Sequence, residues 1–244
     1  MSKFYVTCSW SQCPHLSEED QESMMRSLPP HQRDARSKGI PSMGSGAIYP
    51  VIESDFVISP MKTPPYWKYA YGMDVGWQFT AAAFGAYDPE NDILYITSDY
   101  KRSQTEPTIH AQAISLRARG EKKPGVIDPA SCASSQIDGR KLIDIYKGLG
   151  LNLREADNTV EAGIYEVWNR LSTGRLKVFS SCSSLLEEYR MYRRDEKGKI
   201  IKSNDHVMDA LRYLCSSGIS IAKQDITTVK KSTLNRIAGS WMSR

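Results

Sequence analysis

Three strand-like stretches between residues 68 and 100 constrain the fold more than any other part of this sequence. They are predicted at Lys68 to Val75, Thr80 to Tyr87 and Ile93 to Tyr100, and each is rich in alanine, aromatic or β-branched residues. The turn sequence DPEND at residues 88–92 separates the last two stretches. This spacing predicts an antiparallel meander of three strands.

Short strands and helices alternate after the meander. Strands are predicted at Gly125 to Ile127, Leu151 to Glu155 and Leu176 to Phe179, and helices at Thr108 to Arg119, Ile137 to Leu149, Val160 to Leu171, Ser183 to Arg193 and Asp205 to Cys215. A meander followed by this alternation predicts an α/β fold in which helices flank one mixed sheet, antiparallel at first and then parallel.

The chain is expected to have three parts. Residues 1–65 are turn-rich and resemble a linker cut from something larger, with a strand predicted at Phe4 to Cys8 and a helix from Ser17 to Leu28. Residues 66–221 hold the predicted sheet. Residues 222–244 carry five basic residues and one acid, so the net charge of +4 lies in this tail. A solvated end is the first interpretation of the tail, and contact with nucleic acid or a partner is the alternative.

Composition excludes several classes of protein. No apolar run approaches the ~20 residues of a membrane span. Five scattered cysteines without a C-x-x-C pair favour reduced thiols over a disulfide framework, so we expect a cytosolic protein with no membrane partner. Zinc held by Cys8, Cys13 and His15, with or without His31 as a fourth ligand, would match no common ligand spacing. The sequence has no G-x-x-x-x-G-K-[ST] phosphate loop, so nothing indicates that this chain alone hydrolyses ATP.

Acidic side chains crowd the start of the closing helix. Asp205 and Asp209 are four residues apart, and His206 precedes Asp209 by three, so the three side chains share neighbouring helix surface. Like charges at this spacing repel each other, and a divalent cation is the simplest way to offset them. His206 could hold a water or contact a scissile phosphate, or it could be a surface histidine that bonds to one of the two aspartates.

Two further aspartates end predicted strands. Asp74 lies at the end of the first strand, and Asp128 follows the short strand at Gly125 to Ile127. Each alone could be an exposed residue at the sheet edge, although α/β sheets bind ligands at the carboxyl ends of their strands. Together with Asp209 they would form an oxygen-rich pocket suited to Mg²⁺ or Mn²⁺, and two such ions can hydrolyse a phosphodiester.

The sequence resembles a known family of nucleases. The order of elements and aspartates is similar to ribonuclease H-like nucleases. Within that superfamily, residues 45–218 resemble the nuclease domain of tailed-bacteriophage terminase large subunits, the DNA-packaging motors. The matching segments are GSGAIYP at residues 44–50, GMDVG at 72–76, VIDPA at 126–130 and NDHVMDALRY at 204–213. Residues 14–36 resemble the connector from an ATPase domain to the nuclease.

The resemblance implies specific roles and partners. Asp74, Asp128 and Asp209 would bind two Mg²⁺ or Mn²⁺ ions, with His206 as an accessory catalytic group. Asp205 would be a further metal ligand or would orient neighbouring basic side chains. The implied activity is cutting of concatemeric double-stranded viral DNA with little sequence preference. The implied partners are DNA, the portal protein, the small terminase subunit and the N-terminal ATPase domain, which this sequence lacks. The expected location is the host bacterial cytoplasm, with transient docking on the procapsid portal.

Basic side chains are candidates for contacts with DNA phosphates. They are Lys101, Arg102, Arg190, Arg193, Arg194, Lys197, Lys199 and Lys202, and those from 190 onward surround a predicted hairpin turn at Gly198. A solvated turn is the alternative for this cluster. Trp77 and Trp168 are expected to pack in the protein interior rather than stack on bases.

Two other functions compete with the nuclease. Actin-like kinases also begin with a strand, an Asp-x-Gly and a meander, but they need a duplicated domain and a second glycine-rich phosphate turn, which this sequence lacks. The other alternative is a non-catalytic domain that docks on the portal while its tail holds DNA or protein. The presence of all three aspartates favours the nuclease.

Overall fold

The computed structural model describes residues 9–27, 37, 46–118, 123–133, 141–195 and 198–224. The chain divides into two compact units, one of residues Met1–Pro50 and Arg190–Lys202 and the other of residues Val51–Tyr189 and Ser203–Arg244. The predicted strand at Phe4 to Cys8 and nearly all of the tail lie outside the described residues. In the part of the chain that the structure describes, no helix is long and apolar enough to cross a membrane.

The smaller unit contains a helix and a hairpin. Helix α1 (Glu18–Ser27) begins where predicted, because the Ser17 hydroxyl accepts a hydrogen bond from the Asp20 amide at 3.1 Å. The predicted hairpin is confirmed, since the amide of Ile201 donates to the carbonyl of Arg193 at 3.1 Å. Gly198 adopts a φ of +78° in its turn, which glycine adopts without strain.

The larger unit contains the sheet and seven helices in its described residues. The strands are β1 (Val57–Ile58), β2 (Lys68–Val75), β3 (Phe79–Asp88), β4 (Ile93–Ser103), β5 (Pro124–Ile127), β6 (Asn152–Glu155), β7 (Leu176–Phe179) and β8 (Lys223–Gln224). The helices are α2 (Glu53–Phe56), α3 (Pro107–Arg117), α4 (Leu142–Gly148), α5 (Val160–Ser172), α6 (Ser183–Met191), α7 (His206–Tyr213) and α8 (Ile219–Ile221). A 3₁₀ turn at Pro129–Cys132 and a π-helix at Leu214–Gly218 complete it.

The predicted mixed sheet is confirmed. Its order is β1-β7-β4-β3-β2-β5-β6, with β8 paired to β2 off this path. Strands β2, β3 and β4 form the antiparallel meander, whereas β5, β6 and β7 join in parallel. Strand β1 pairs with β7 although it precedes residue 66, and β8 follows residue 221, so the sheet extends beyond the predicted range at both ends.

Several predicted boundaries differ from the structure. The closing helix is shorter than predicted, because Asp205 is its N-cap residue and the chain continues after Tyr213 as the π-helix. Helix α6 ends at Met191 rather than at residue 193, where the backbone joins the hairpin. The helix predicted from residue 137 is described from Leu142 onward, since residues 134–140 lie outside the described part.

Helices cover both faces of the sheet. On one face, Tyr71 and Met73 of β2 belong to a buried cluster with Ile114 of α3 and Tyr146 of α4. The intervening Gly72 points to the opposite face, where a Cβ atom would overlap the carbonyl oxygen of Ala210 in α7. Glycine at this position therefore lets α7 lie directly on β2, two residues before Asp74.

Candidate nuclease site

Two of the predicted aspartates lie side by side at the ends of parallel strands. Asp74 is the next-to-last residue of β2, and Asp128 follows β5 directly. Met73 is the register partner of Ile127, and the Asp128 amide donates to the Met73 carbonyl at 3.1 Å. Because β2 and β5 are parallel neighbours and each aspartate follows one residue of this register pair, both carboxylates lie at the same edge of the sheet.

Helix α7 reaches both carboxylates. His206, Asp209 and Tyr213 lie at positions i, i+3 and i+7, so they share one helix face. The Nδ1 atom of His206 is 2.9 Å from Oδ2 of Asp74, and the Tyr213 hydroxyl donates to Oδ1 of Asp128 at 3.1 Å. Because the same helix carries Asp209, all three predicted aspartates belong to one site.

The electrostatics of Asp74 reflect this crowding. Burial raises the pKa of its carboxyl, and the negative charges of Asp209 and Asp128 raise the pKa further, although the hydrogen bond from His206 acts in the opposite direction. The pKa of His206 is also raised, chiefly by its hydrogen bond to Asp74. Burial and crowding of like charges therefore make ionisation of Asp74 less favourable than it is in water.

A buried arginine accompanies the third aspartate. The Nε and Nη2 atoms of Arg212 donate to Oδ1 of Asp209 at 3.1 and 3.0 Å, and Arg212 is only 2% exposed. Its side chain occupies the space beside Gly163 of α5, where a Cβ atom would lie 2.6 Å from Cγ of Arg212. Burial lowers the pKa of the guanidinium, but the attraction of Asp209 outweighs this effect, so Arg212 stays charged.

The site does not form a closed set of metal ligands. In the ranges that the structure describes, no group of three or more His, Cys, Asp or Glu side chains is placed so that it could hold a metal ion. Asp209 faces Arg212, and Oδ1 of Asp128 also accepts from the Ala130 amide at 3.1 Å. The chemistry of the donors nevertheless suits a divalent cation, since two carboxylate charges already raise the pKa of a third.

Asp205 lies at the N-terminus of α7. It is buried, with 6% of its surface exposed, and its carbonyl accepts from the Asp209 amide at 2.8 Å. Its negative charge contributes to the raised pKa of His206. The structure thus places Asp205 beside His206.

Sequence reasoning missed Glu188, a buried residue of α6. Its Oε2 accepts from the amides of Val207 and Met208 at 2.6 and 3.1 Å, and its Oε1 is 2.7 Å from the ammonium of Lys101. Lys101, a candidate for DNA phosphate, is therefore engaged inside the protein. Only Glu188's place on a predicted helix could have been read from sequence, because its partners lie far along the chain.

The other candidates for DNA contact fall into two groups. Arg102 is exposed near the end of β4, in the same unit as the aspartates. The rest belong to the smaller unit or lie outside the described residues: Arg190, Arg193, Lys199 and Lys202 are exposed, Arg194 is partly exposed and donates to the Gly198 carbonyl, and Lys197 is not described.

The prediction that Trp77 packs in the interior is wrong. Trp77 is 81% exposed, because it lies at the tip of the β2–β3 hairpin, in the two-residue loop closed by the Gly76 amide and the Phe79 carbonyl. Trp168 is partly buried and lies 5.6 Å from the ring of Tyr165, in accord with a packing role.

Comparison with known proteins identifies the family. A family model described as the terminase RNaseH-like domain matches residues 71–217. The chain belongs to this family. The match lies within residues 45–218, the range for which the sequence segments indicated the resemblance, and it includes Asp74, Asp128 and Asp209.

Individual terminases are similar to this chain. A terminase large subunit of Salmonella phage P22 is 32% identical over 207 residues, which cover 82% of this chain and 41% of that protein. The chain thus spans less than half the length of this curated relative. The structure of the P22 large terminase nuclease domain matches with a TM-score of 0.68 and 29% identity, covering 76% of this chain and 98% of that domain.

A third similarity concerns the fold alone. The large terminase nuclease of thermophilic phage G20c, solved with bound magnesium, matches with a TM-score of 0.50 and 13% identity. The match covers 72% of this chain and 99% of that nuclease. These terminase structures share the ribonuclease H-like arrangement of a mixed sheet flanked by helices.

Proposed function

We propose that this chain is a metal-dependent endonuclease that cuts double-stranded viral DNA during genome packaging. The observation that carries the proposal is that α7, the helix of Asp209, contacts Asp74 through His206 and Asp128 through Tyr213, in a chain of the terminase RNaseH-like domain family. The similarity to the P22 nuclease domain supports the same reaction class. Cutting is expected to show little sequence preference, since the candidate contacts are cations suited to phosphates.

The three aspartates are the proposed ligands of Mg²⁺ or Mn²⁺. When bound, two such ions supply an activated water and stabilise the leaving oxygen of a phosphodiester. The magnesium-bound G20c nuclease is a related fold with such an ion. Asp74, Asp128 and Asp209 would hold the ions through their carboxylate oxygens, while Tyr213 and Arg212 orient Asp128 and Asp209. Asp205, buried at the N-terminus of α7, is proposed as a further metal ligand or as a group that orients basic neighbours.

His206 is proposed as the accessory group of the site. Its Nδ1 atom holds Asp74, and its ring lies 5.3 Å from the ring of Phe79, so two contacts fix its orientation. Because its hydrogen bond to Asp74 raises its pKa, the imidazole keeps its positive charge to higher pH than a free histidine does. That charge can hold a water or a phosphate oxygen near Asp74.

The proposal extends to the partners and the location of this chain during DNA packaging. The chain covers 41% of the P22 protein. We propose an N-terminal ATPase domain, the portal protein and the small terminase subunit as its partners. Residues 1–65 are proposed as the connector to the ATPase domain, and residues 222–244 as a basic tail. The proposed location is the host cytoplasm, with transient docking on the portal.

A plasmid assay without ATP tests the nuclease. In Mn²⁺ or Mg²⁺ the chain should convert supercoiled plasmid to nicked and linear forms, and EDTA should stop the reaction. Asp74→Ala, Asp128→Ala and Asp209→Ala should each abolish cutting. Asp144→Ala, which changes an exposed acid on α4, should not. If Asp128→Ala cut the plasmid as fast as the parent, the site assignment would be wrong.

A further inference from the structure

A buried glutamate holds the first turn of the helix that carries the site. Glu188 is 1% exposed, and its Oε2 accepts from the Val207 and Met208 amides. These amides are among the first of α7 and have no partner within the helix. A carboxylate at a helix N-terminus also interacts favourably with the helix dipole.

Lys101 forms an ion pair with this glutamate. The Lys101 ammonium lies 2.7 Å from Oε1 of Glu188, and the Lys101 side chain is only 17% exposed. A buried carboxylate without a partner would be costly, so the ion pair and the two amide contacts depend on one another. Glu188 comes from α6 and Lys101 from β4, so the pair joins α7 to two elements outside the site.

The same pair reaches the catalytic residues along a second route. The Lys101 ammonium lies 4.7 Å from the centre of the Phe79 ring, and this ring contacts the imidazole of His206. His206 in turn contacts Asp74. Glu188 and Lys101 therefore restrain both the backbone that carries Asp209 and the ring that holds Asp74.

We infer that Glu188, paired with Lys101, is a positioning residue of the nuclease site. It sets the position of the first turn of α7, and hence of His206 and Asp209, against the carboxylates of β2 and β5. This inference rests on the proposed function, because its consequence is a preformed metal site. Because Glu188 is 1% exposed, it would act through α7 rather than by touching substrate or metal. Groups that orient metal ligands in this way typically alter metal affinity or activity by about 10- to 100-fold when removed.

Glu188→Gln in the full chain tests the inference. The variant keeps the side-chain shape but removes the charge that faces Lys101 and the α7 amides. Hydrogen exchange measured without metal should show faster exchange at Val207 and Met208, with the rest of α7 protected. Mn²⁺ affinity measured by calorimetry without DNA should fall by about 10-fold or more. At saturating Mn²⁺, kcat for plasmid cutting should fall while KM for DNA stays unchanged.

Asp92→Asn is the matched control. Asp92 accepts from Arg170 and Arg175 at 3.1 and 2.7 Å, so the substitution also breaks a charged network, but one away from α7. The control should lose stability and keep Mn²⁺ affinity and kcat. Lys101→Met should reproduce the Glu188→Gln effects on Mn²⁺ affinity and kcat.

The outcomes separate the inference from the proposed function. If Glu188→Gln loses stability like the control but keeps Mn²⁺ affinity and kcat, Glu188 only supports the fold and the inference is wrong. Unchanged exchange at Val207 and Met208 would also overturn it. A parent chain that neither binds Mn²⁺ nor cuts DNA would overturn the proposed function itself, and this result is read from the parent before any variant.

Discussion

The hydroxyl of Tyr213 donates to the carboxylate of Asp128 at 3.1 Å, on the same face of α7 as His206, which contacts Asp74. Helix α7 thus bonds to the carboxylates that end both β2 and β5. Asp209 lies between these two contacts on the same face. The positions of His206, Asp209 and Tyr213 along α7 therefore determine how the site is assembled. A shift of α7 would disturb all three aspartates together.

The crowded carboxylates should make the metal-free site costly for folding. Because burial and the charges of Asp209 and Asp128 raise the pKa of Asp74, its ionised form opposes folding at neutral pH. Asp74→Asn should therefore raise the melting temperature in EDTA and remove the stabilisation that Mn²⁺ gives the parent. Plasmid cutting should fall by more than about 100-fold, since even substitutions of outer neighbours cost about 10- to 100-fold. A melting temperature that still rises with Mn²⁺ would contradict the assignment of Asp74.

Close packing of α7 on β2 should make Gly72 intolerant of any side chain. Gly72→Ala places a Cβ against the Ala210 carbonyl and 2.9 Å from the Leu214 amide nitrogen, both of them backbone atoms that cannot move independently. Unfolding in urea should show a loss of about 1–3 kcal/mol or more. Gly148→Ala is the control, since a Cβ there has no neighbour within 4 Å, and its stability should be unchanged or higher.

Exposure of Trp77 beside the site should matter for DNA rather than for folding. Trp77→Ala should change the free energy of unfolding by less than about 0.5 kcal/mol, as exposed positions generally do. If the indole contacts DNA near Asp74, affinity for a duplex should fall by an amount on the order of 1 kcal/mol. Tyr165→Ala, at an aromatic residue of α5 that is 62% exposed, is the control and should bind as the parent does. Equal affinity of the Trp77 variant and the parent would leave the indole without a role in binding.

The buried His110 should give the fold a dependence on pH. Burial lowers the pKa of His110, whose Nδ1 lies 2.7 Å from the Tyr100 hydroxyl. The unfolded chain therefore binds a proton near pH 6.5 that the folded chain binds only at lower pH, so stability falls as pH falls below about 6.5, by up to about 1.4 kcal/mol per unit. Urea unfolding at pH 8 and pH 5.5 should show a smaller loss in His110→Gln than in the parent. The same loss in both proteins would assign the slope to other groups.

The three aspartates could be predicted because each stands next to a strong local pattern. Asp74 and Asp128 end strands with clear apolar runs, and Asp209 lies on an amphipathic helix. Their meeting follows from strand order, which the resemblance to a known fold supplied. Local sequence and fold resemblance thus complement each other at this site.

Other features had no local signal. Glu188 is one of 28 acidic residues, and the amides that it binds lie 19 and 20 residues further along the chain. Lys101 lies on a strand that ends near the site, and only its side-chain direction distinguishes an internal ion pair from a DNA contact. Strand β1 has two residues, too few to show any periodicity.

The contact between Gly163 and Arg212 has an evolutionary consequence. The stem of Arg212 fills the space that a side chain at position 163 would need. Arg212 also holds Asp209, so it cannot be shortened without changing the site. We therefore expect residues 163 and 212 to co-vary. Descendants of this chain that acquire a larger residue at 163 should survive only with a compensating change at 212.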